Sequence, residues 1–181
     1  MTADRITIQI LPAELCERAL PDLVTLLLDA VASGASVGFL ASLDEASAEA
    51  WWRETIAEIA QGRRTIVVAR ERCRIVGTVH LSYSWKPNAR HRAEVQKLMV
   101  LRRMRRRGLA RRLMAAAEEE ALKAGRLLLM LDTETASPAR DFYAAQAWIE
   151  MGVVPGHAAR PTGELSATTF FYKLLRERDA R

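Results

Sequence analysis

The chain has 181 residues, half of them apolar and 27% charged, which is ample material for the core of one folded domain. Its net charge of +5, with an isoelectric point near 9.7, favours an anionic ligand without separating an acidic cofactor from nucleic acid or a membrane surface. The longest apolar run, Leu23–Val31, contains Asp29 and is too short to span a bilayer, which excludes an ordinary transmembrane helix.

The cysteines and histidines predict neither a disulfide nor a metal site. Cys16 and Cys73 lie far apart, form no CxxC motif and adjoin apolar sequence, which favours reduced cysteines packed in the core. His80, His91 and His157 lack the spacing of zinc ligands, so no metal is expected. Since no signal-peptide core follows Met1, we expect a cytoplasmic protein.

Hydrophobic periodicity predicts a strand, two helices and a pair of strands in the N-terminal half. These elements are the strand Arg5–Leu11, the helix Leu15–Ala32, a helix that Asp44 caps and that runs through Gln61, and the strands Arg63–Arg70 and Arg74–Trp85. Pro21 either kinks the first helix or opens its second half. A loop of small residues at 33–39 separates the two helices.

The C-terminal half alternates strands and helices before it ends in two strands. The elements are the strand Ala93–Leu101, the helix Leu109–Ala124, the strand Leu127–Leu131, the helix Pro138–Gln146, the strand Trp148–Val153, the loop Pro155–Ser166 and the strand Ala167–Leu175. The resulting order, β-α-α-β-β-β-α-β-α-β-β, predicts an α/β (α+β) mixed sheet with helices packed on it, in a single domain covering residues 1–181.

A cationic turn joins the strand Ala93–Leu101 to the helix that follows it. Seven of the 27 Arg and Lys residues lie between Arg102 and Arg112. Gly108 permits a positive φ or a close approach to a ligand, and a helix N-terminus offers free N–H groups to an anion. The residues expected to bind a pyrophosphate in this way are Arg105, Arg106, Arg107, Gly108, Leu109, Ala110 and Arg111.

Two other readings of this turn stay open. It could be an arginine-rich surface turn that only increases solubility. It could also be an arm that binds nucleic acid, although such arms interleave aromatic residues for base stacking, and none lies between Arg102 and Arg112.

The pattern Arg105-x-x-Gly108-x-Ala110 after a strand resembles the Q/R-x-x-G-x-G/A motif of the GNAT N-acetyltransferase superfamily, and the element order agrees with that fold. The resemblance implies that the turn cradles the pyrophosphate of acetyl-CoA. It also implies a V-shaped opening between the strands Ala93–Leu101 and Leu127–Leu131, where Met99 and Val100 would offer main-chain groups to the pantetheine.

Two carboxylates are candidates for the base that deprotonates an acceptor amine. Strand alternation predicts that Glu94 shares a face with Gln96, Leu98 and Val100 and reaches the cleft from the early end of its strand. Asp132 directly follows the strand Leu127–Leu131, where ligand sites collect on such sheets. The alternatives are a surface ion pair of Glu94 with Arg92 or Lys97, and a role for Asp132 as an N-cap or turn former.

Tyr143 lies in a segment, Ala139–Tyr143, that resembles the family's A-x-x-F-Y, whose tyrosine commonly protonates the leaving thiolate. A buried core tyrosine is the alternative. The chain departs from the family pattern at Ala147-Trp148, where Gly-Phe is common. It departs again at Ala136, where an asparagine is common, and Ser137 could replace that residue's bond to pantetheine.

Four segments also resemble the branch that contains the tabtoxin-resistance acetyltransferase: residues 34–40, 92–100, 131–134 and 171–173. The resemblance implies an enzyme that acetylates the primary amine of a small amino-acid-like toxin, antibiotic or metabolite by direct attack on the thioester. Neither nucleic acid nor a membrane is an expected partner, and a homodimer stays open. Phe39, Trp85 and His157 are candidates to line the acceptor pocket. A noncatalytic acyl-CoA sensor and a basic nucleic-acid-binding protein are the alternative functions.

Overall fold

The computed structural model describes residues 6–176, and its helices and strands follow the predicted order. They are β1 (Ile6–Ile10), α1 (Ala13–Ala32), α2 (Glu45–Ala60), β2 (Arg64–Glu71), β3 (Arg74–Tyr83), β4 (Arg92–Val100), α3 (Leu109–Lys123), β5 (Leu128–Glu134), α4 (Ala139–Ala144), β6 (Ile149–Ala159) and β7 (Leu165–Leu174). Arg5, the first residue of the predicted N-terminal strand, lies outside the described residues.

The strands form one mixed sheet in the order β1-β2-β3-β4-β5-β7-β6. Every neighbouring pair is antiparallel except β4 and β5, which are parallel and pair only where Arg92–Glu94 meets Leu128–Met130. Beyond these residues, β4 continues to Val100 and β5 to Glu134 without pairing with each other. The two strands therefore separate and open the middle of the sheet.

Helices pack on both faces of the sheet and divide the core into two clusters. Helices α1 and α2 bury Leu23, Leu27 and Trp52 against β2, β3 and the end of β4, while α3 buries Leu113 and Met114 against the opposite face. Within residues 6–176, none of the helices has the length and apolar character that crossing a bilayer requires.

The helix boundaries follow local chemistry. Asp44 caps α2, its side chain accepting a hydrogen bond of 2.8 Å from the backbone N–H of Ser47, as predicted. Helix α1 runs unbroken through Pro21, so that proline does not begin a separate helix. Thr25 Oγ1 donates to the Pro21 carbonyl at 2.8 Å.

Two predicted boundaries in the C-terminal half are wrong. Strand β5 extends through Asp132 to Glu134, so Asp132 lies within the strand because β7 pairs along this whole length. The predicted loop Pro155–Ser166 is mostly strand, since β6 continues to Ala159 and β7 begins at Leu165. A register shift between Val154 and Ala158 accommodates the proline on this edge strand.

A β-bulge at Lys97 overturns the prediction that Glu94, Gln96, Leu98 and Val100 share one face of β4. Lys97 has φ +52°, and the pairing with β3 shifts register beside it. Before the bulge, Ala93 and Val95 face α3; after it, Leu98 and Val100 pack on that side. Glu94 therefore faces the opposite side of the sheet from Leu98 and Val100.

Candidate active site

The gap between β4 and β5 holds a cavity of about 280 Å³. Its walls come from the separated ends of both strands, from α4 and from the loop after α1. Glu94, Asp132, Tyr143 and Ser137 all line it, so the fold brings the three predicted catalytic residues into one cavity with the serine.

Asp132 and Glu94 are the two proposed bases, and both face the cavity. Register pairs Glu94 with Met130, and Asp132 is the next residue of β5 on that face. Partial loss of hydration, followed by the charge of Glu94, raises the pKa of Asp132. His157 and Lys97 partly oppose this rise. A carboxylate with a raised pKa is a better proton acceptor near neutral pH than an ordinary aspartate.

Tyr143 is buried, with 7% of its surface exposed, in a ring cluster with Phe142, Trp148 and Phe171. Burial, followed by the charge of Asp132, raises the pKa of its phenol, so the group stays protonated at neutral pH. Among the described residues no hydrogen-bond partner is found for its hydroxyl, although the residue lines the cavity. The phenol is therefore a proton donor available to a ligand in the gap.

Ser137 stands at the mouth of the cavity just before α4. Its Oγ accepts a hydrogen bond of 3.2 Å from the backbone N–H of Ala139, which leaves the hydroxyl hydrogen free to donate. The neighbouring Ala136 is exposed and has no side-chain group that could donate.

The cationic turn forms a second cavity, of about 380 Å³, farther along β4 at the start of α3. It is lined by Val100, Met104, Arg105, Arg106, Gly108, Leu109, Ala110, Arg111 and Phe142. Gly108 takes φ +73° as the residue preceding α3, and a Cβ placed there would meet no atom within 4 Å. The backbone is therefore open to a ligand here, and the first N–H groups of a helix have no acceptor within it, as an anion site requires.

The arginines of the turn divide into two groups. Arg102 pairs with Asp29, Arg103 with Glu71, and Arg112 donates to the Ile6 carbonyl, so these three hold the turn and α3 against the rest of the fold. Among residues 6–176, no hydrogen bond or ion pair is found for the side chains of three others. These are Arg106, Arg107 and Arg111; all three are exposed, and Arg106 and Arg111 line the cavity whereas Arg107 does not.

Arg105 is differently placed from the other predicted phosphate ligands. Its Nε donates to the Val100 carbonyl at 3.0 Å, and its Nη2 donates to Ser33 Oγ at 2.7 Å. The guanidinium therefore bonds to the carbonyl of Val100, one of the residues whose main chain the resemblance assigns to pantetheine. The Met99 carbonyl faces β3, where it would lie 3.0 Å from a Cβ on Gly77. Val100, unlike Met99, lines the cavity at the start of α3, which makes it the main-chain candidate on the ligand side of β4.

Sequence reasoning missed Lys97, which also lines the cavity between β4 and β5. Its ammonium lies 5.4 Å from the ring centre of Trp51 and 5.9 Å from that of Phe39. Burial, followed by the charge of Arg64, lowers the pKa of Lys97, whereas Asp132 and Glu94 oppose that shift. A lysine directly before the apolar run Leu98–Leu101 is the signal that could have identified it.

The candidates for the acceptor pocket differ in position. Phe39 packs edge-on against Trp51, at 5.4 Å between ring centres, instead of lining the cleft. Trp85 is 76% exposed and borders a shallower cavity next to Glu94. His157 packs against Phe170 and is close enough to influence Asp132. In the described chain, no group of three His, Cys, Asp or Glu side chains is arranged to hold a metal ion.

Comparisons with known proteins agree with this geometry. Residues 28–148 match the model of the Acetyltransferase (GNAT) family. The fold is similar to that of yncA from Salmonella typhimurium, solved with its cofactor acetyl-CoA, at 18% identity over 98% of each chain with a TM-score of 0.76.

Two further solved structures have the same fold. A ribosomal-protein-alanine N-acetyltransferase from Brucella melitensis is 21% identical over 93% of this chain and 99% of its own, with a TM-score of 0.75. A candidate phosphinothricin N-acetyltransferase is 19% identical over 96% of this chain and 100% of its own, with a TM-score of 0.76. At these identities, the similarity establishes the fold.

Proposed function

This chain belongs to the GNAT acetyltransferase family, and we propose that it acetylates the primary amine of a small molecule by direct attack on the thioester of acetyl-CoA. Family membership supplies the enzyme class and the cosubstrate. The acceptor is the proposed part: an amino-acid-like toxin, antibiotic or metabolite. The resemblance of four segments to the tabtoxin-resistance branch supports it.

One observation carries the proposal. Two carboxylates and a protonated phenol line the cavity between β4 and β5, and the second cavity, at the start of α3, lies farther along β4. Glu94, Asp132 and Tyr143 line the gap, and Val100 at the end of β4 lines the anion cavity. Amide formation needs an acceptor for the ammonium proton and a donor to the departing sulfur. A covalent enzyme intermediate is unnecessary where amine and thioester are held together.

Each of these residues has a specific role in binding or proton transfer. The first N–H groups of α3, with Arg105, Arg106 and Arg111, bind the diphosphate, and Arg107 adds its positive charge from outside the cavity. Ser137 and the Val100 main chain bind the pantetheine. When bound, acetyl-CoA supplies the activated acetyl group. Asp132 or Glu94 removes a proton from the ammonium so that nitrogen bonds to the acetyl carbon. As the carbon–sulfur bond breaks, the Tyr143 hydroxyl donates its proton to the sulfur, and the second proton that the nitrogen loses restores the phenol.

The edge strand β6 and the free cysteines bear on the assembly and the location of the enzyme. We propose a homodimer through β6, supported by the exposed apolar side chains Ile149, Met151 and Val153 on this edge strand. Light scattering after gel filtration should give twice the mass of one chain, and a monomer at every concentration would contradict it. The free thiols of Cys16 and Cys73 support a cytoplasmic location.

Two measurements test the function together. Calorimetric titration should show acetyl-CoA binding, and a library of primary amines screened for free thiol should reveal acceptors that release coenzyme A. Binding without thiol release from any amine would indicate an acyl-CoA sensor. Salt-dependent binding to oligonucleotides without acetyl-CoA binding would indicate a nucleic-acid-binding protein.

A further inference from the structure

The cleft continues onto a face of the sheet that the helices leave open. Glu94 pairs with Met130 in the parallel register, and Asp132 pairs with Phe170, so these four side chains share one face. Within residues 6–176, the core cluster under α1 and α2 contains no residue of β5 or β7. A groove of about 250 Å³ lies over this part of the sheet, next to the gap.

Arg92 forms one end of this groove. It lies two residues before Glu94 on the same face of β4, so the two Cα atoms are roughly 7 Å apart. Its side chain is partly buried, lines the groove and also borders the shallow cavity beside Trp85. In the described part of the chain, no hydrogen bond or ion pair is found for its guanidinium, although partly buried arginines are usually paired.

The groove is therefore dipolar. At one end Glu94 and Asp132 face the gap, and at the other end stands an arginine whose five donors match a carboxylate. Met130 and Phe170 supply an apolar surface between strands β5 and β7. A ligand complementary to this arrangement has a cationic amine, an anion a few ångströms from it and an apolar side chain.

We propose that Arg92 binds the carboxylate of the acceptor, so that the preferred substrate is an apolar amino acid whose amine lies between Glu94 and Asp132. This inference rests on the proposed function and identifies the substrate class of that site. Arg92 acts as a specificity residue, because it contacts the part of the acceptor that does not react. Met130 and Phe170 contact the apolar side chain.

Matched acceptor pairs test this inference. Leucine is compared with isopentylamine, and phenylalanine with phenethylamine, because each pair differs only by the carboxylate. For the wild-type enzyme kcat/KM should be roughly ten- to a hundredfold higher for the amino acid, the contribution of a charge-assisted hydrogen bond. Arg92→Leu should remove this preference by raising KM for the amino acids, with little change for the amines.

Two further variants complete the design. Arg92→Lys retains the positive charge and should keep part of the preference for the amino acids. Arg53→Leu is the matched control, because Arg53 is exposed on α2 and pairs with Glu49. It should behave like the wild type with all four acceptors.

The inference is overturned if wild-type enzyme uses the amines as well as or better than the amino acids, if it uses neither series, or if Arg92→Leu keeps the preference. Failure of the proposed function looks different. In that case no amine in the wider library releases thiol from acetyl-CoA.

Discussion

At the scale of single residues, the cavity between β4 and β5 holds a carboxylate and a phenol in protonation states suited to opposite proton transfers. The pKa of Asp132 is raised, which strengthens the carboxylate as a proton acceptor, while the raised pKa of Tyr143 keeps the phenol protonated. Both shifts arise mainly from loss of hydration, which disfavours the charged form of either group. The sequence predicted both residues, but their states depend on packing that no local pattern reveals.

Tyr143→Phe should lower kcat by roughly a hundredfold, the typical contribution of one positioned proton donor, and leave acetyl-CoA affinity nearly unchanged. Steady-state kinetics and calorimetry measure the two quantities separately. Tyr83→Phe is the matched control, since the Tyr83 hydroxyl donates to Thr65 Oγ1 at 2.9 Å outside the gap. An unchanged kcat in Tyr143→Phe would remove this tyrosine from the mechanism.

Asp132→Asn should increase stability near neutral pH while it reduces activity. The folded-state pKa of Asp132 lies above its unfolded value, so ionisation is less favourable in the folded protein and the charged carboxylate destabilises it. Below about pH 3.9, the unfolded pKa, both states are protonated and the difference in Tm should vanish. Thermal unfolding from pH 3 to 8 measures it, and a lower Tm at pH 7 would contradict the assignment.

At the scale of elements, the sequence predicted the order and type of the α-helices and strands found in residues 6–176 but missed the bulge in β4. Gly108 correctly indicated the start of α3, because glycine readily adopts the positive φ that the residue before this helix takes. The bulge at Lys97 carries no glycine or proline and has φ +52°, so strand alternation alone gave the wrong face. The length of β6 was missed because Pro155 and Gly156 read as loop residues.

Ala147→Gly should stabilise the protein by about 0.5–1 kcal/mol, because Ala147 holds φ +59° just after α4, where an L-residue with a Cβ is strained. Chemical denaturation measures the free energy of unfolding. Ala145→Gly is the control, since Ala145 has an ordinary φ of −67° and the change should destabilise. Equal effects in both variants would show that the strain at Ala147 is negligible.

Gly108→Val should weaken acetyl-CoA binding more than Gly125→Val does. The two glycines precede and follow α3 with similar φ angles, +73° and +69°, and at both an added Cβ would meet no atom within 4 Å. The backbone strain is therefore comparable, but only Gly108 lines the anion cavity. Calorimetric titration of both variants with acetyl-CoA measures the difference, and equal affinities would contradict a diphosphate at this turn.

At the scale of the whole molecule, the separation of β4 from β5 is the feature that creates the site. It places Glu94, Asp132 and Tyr143, from three different elements, around one cavity. The sequence predicted Glu94 and Asp132 from their positions on the strands and Tyr143 by resemblance, whereas Lys97 and Arg92 came only from the assembled sheet. Strand pairing and cavity shape depend on contacts distant in sequence, which explains why local patterns predicted the elements better than the pocket.

The most direct test of the account is a crystal structure of the protein with coenzyme A bound. We predict that the diphosphate lies against the first N–H groups of α3, at Arg105–Ala110, and that the pantetheine passes Val100 so that its thiol reaches Tyr143. A nucleotide bound elsewhere, with the cavity at the start of α3 empty, would contradict the account at its centre.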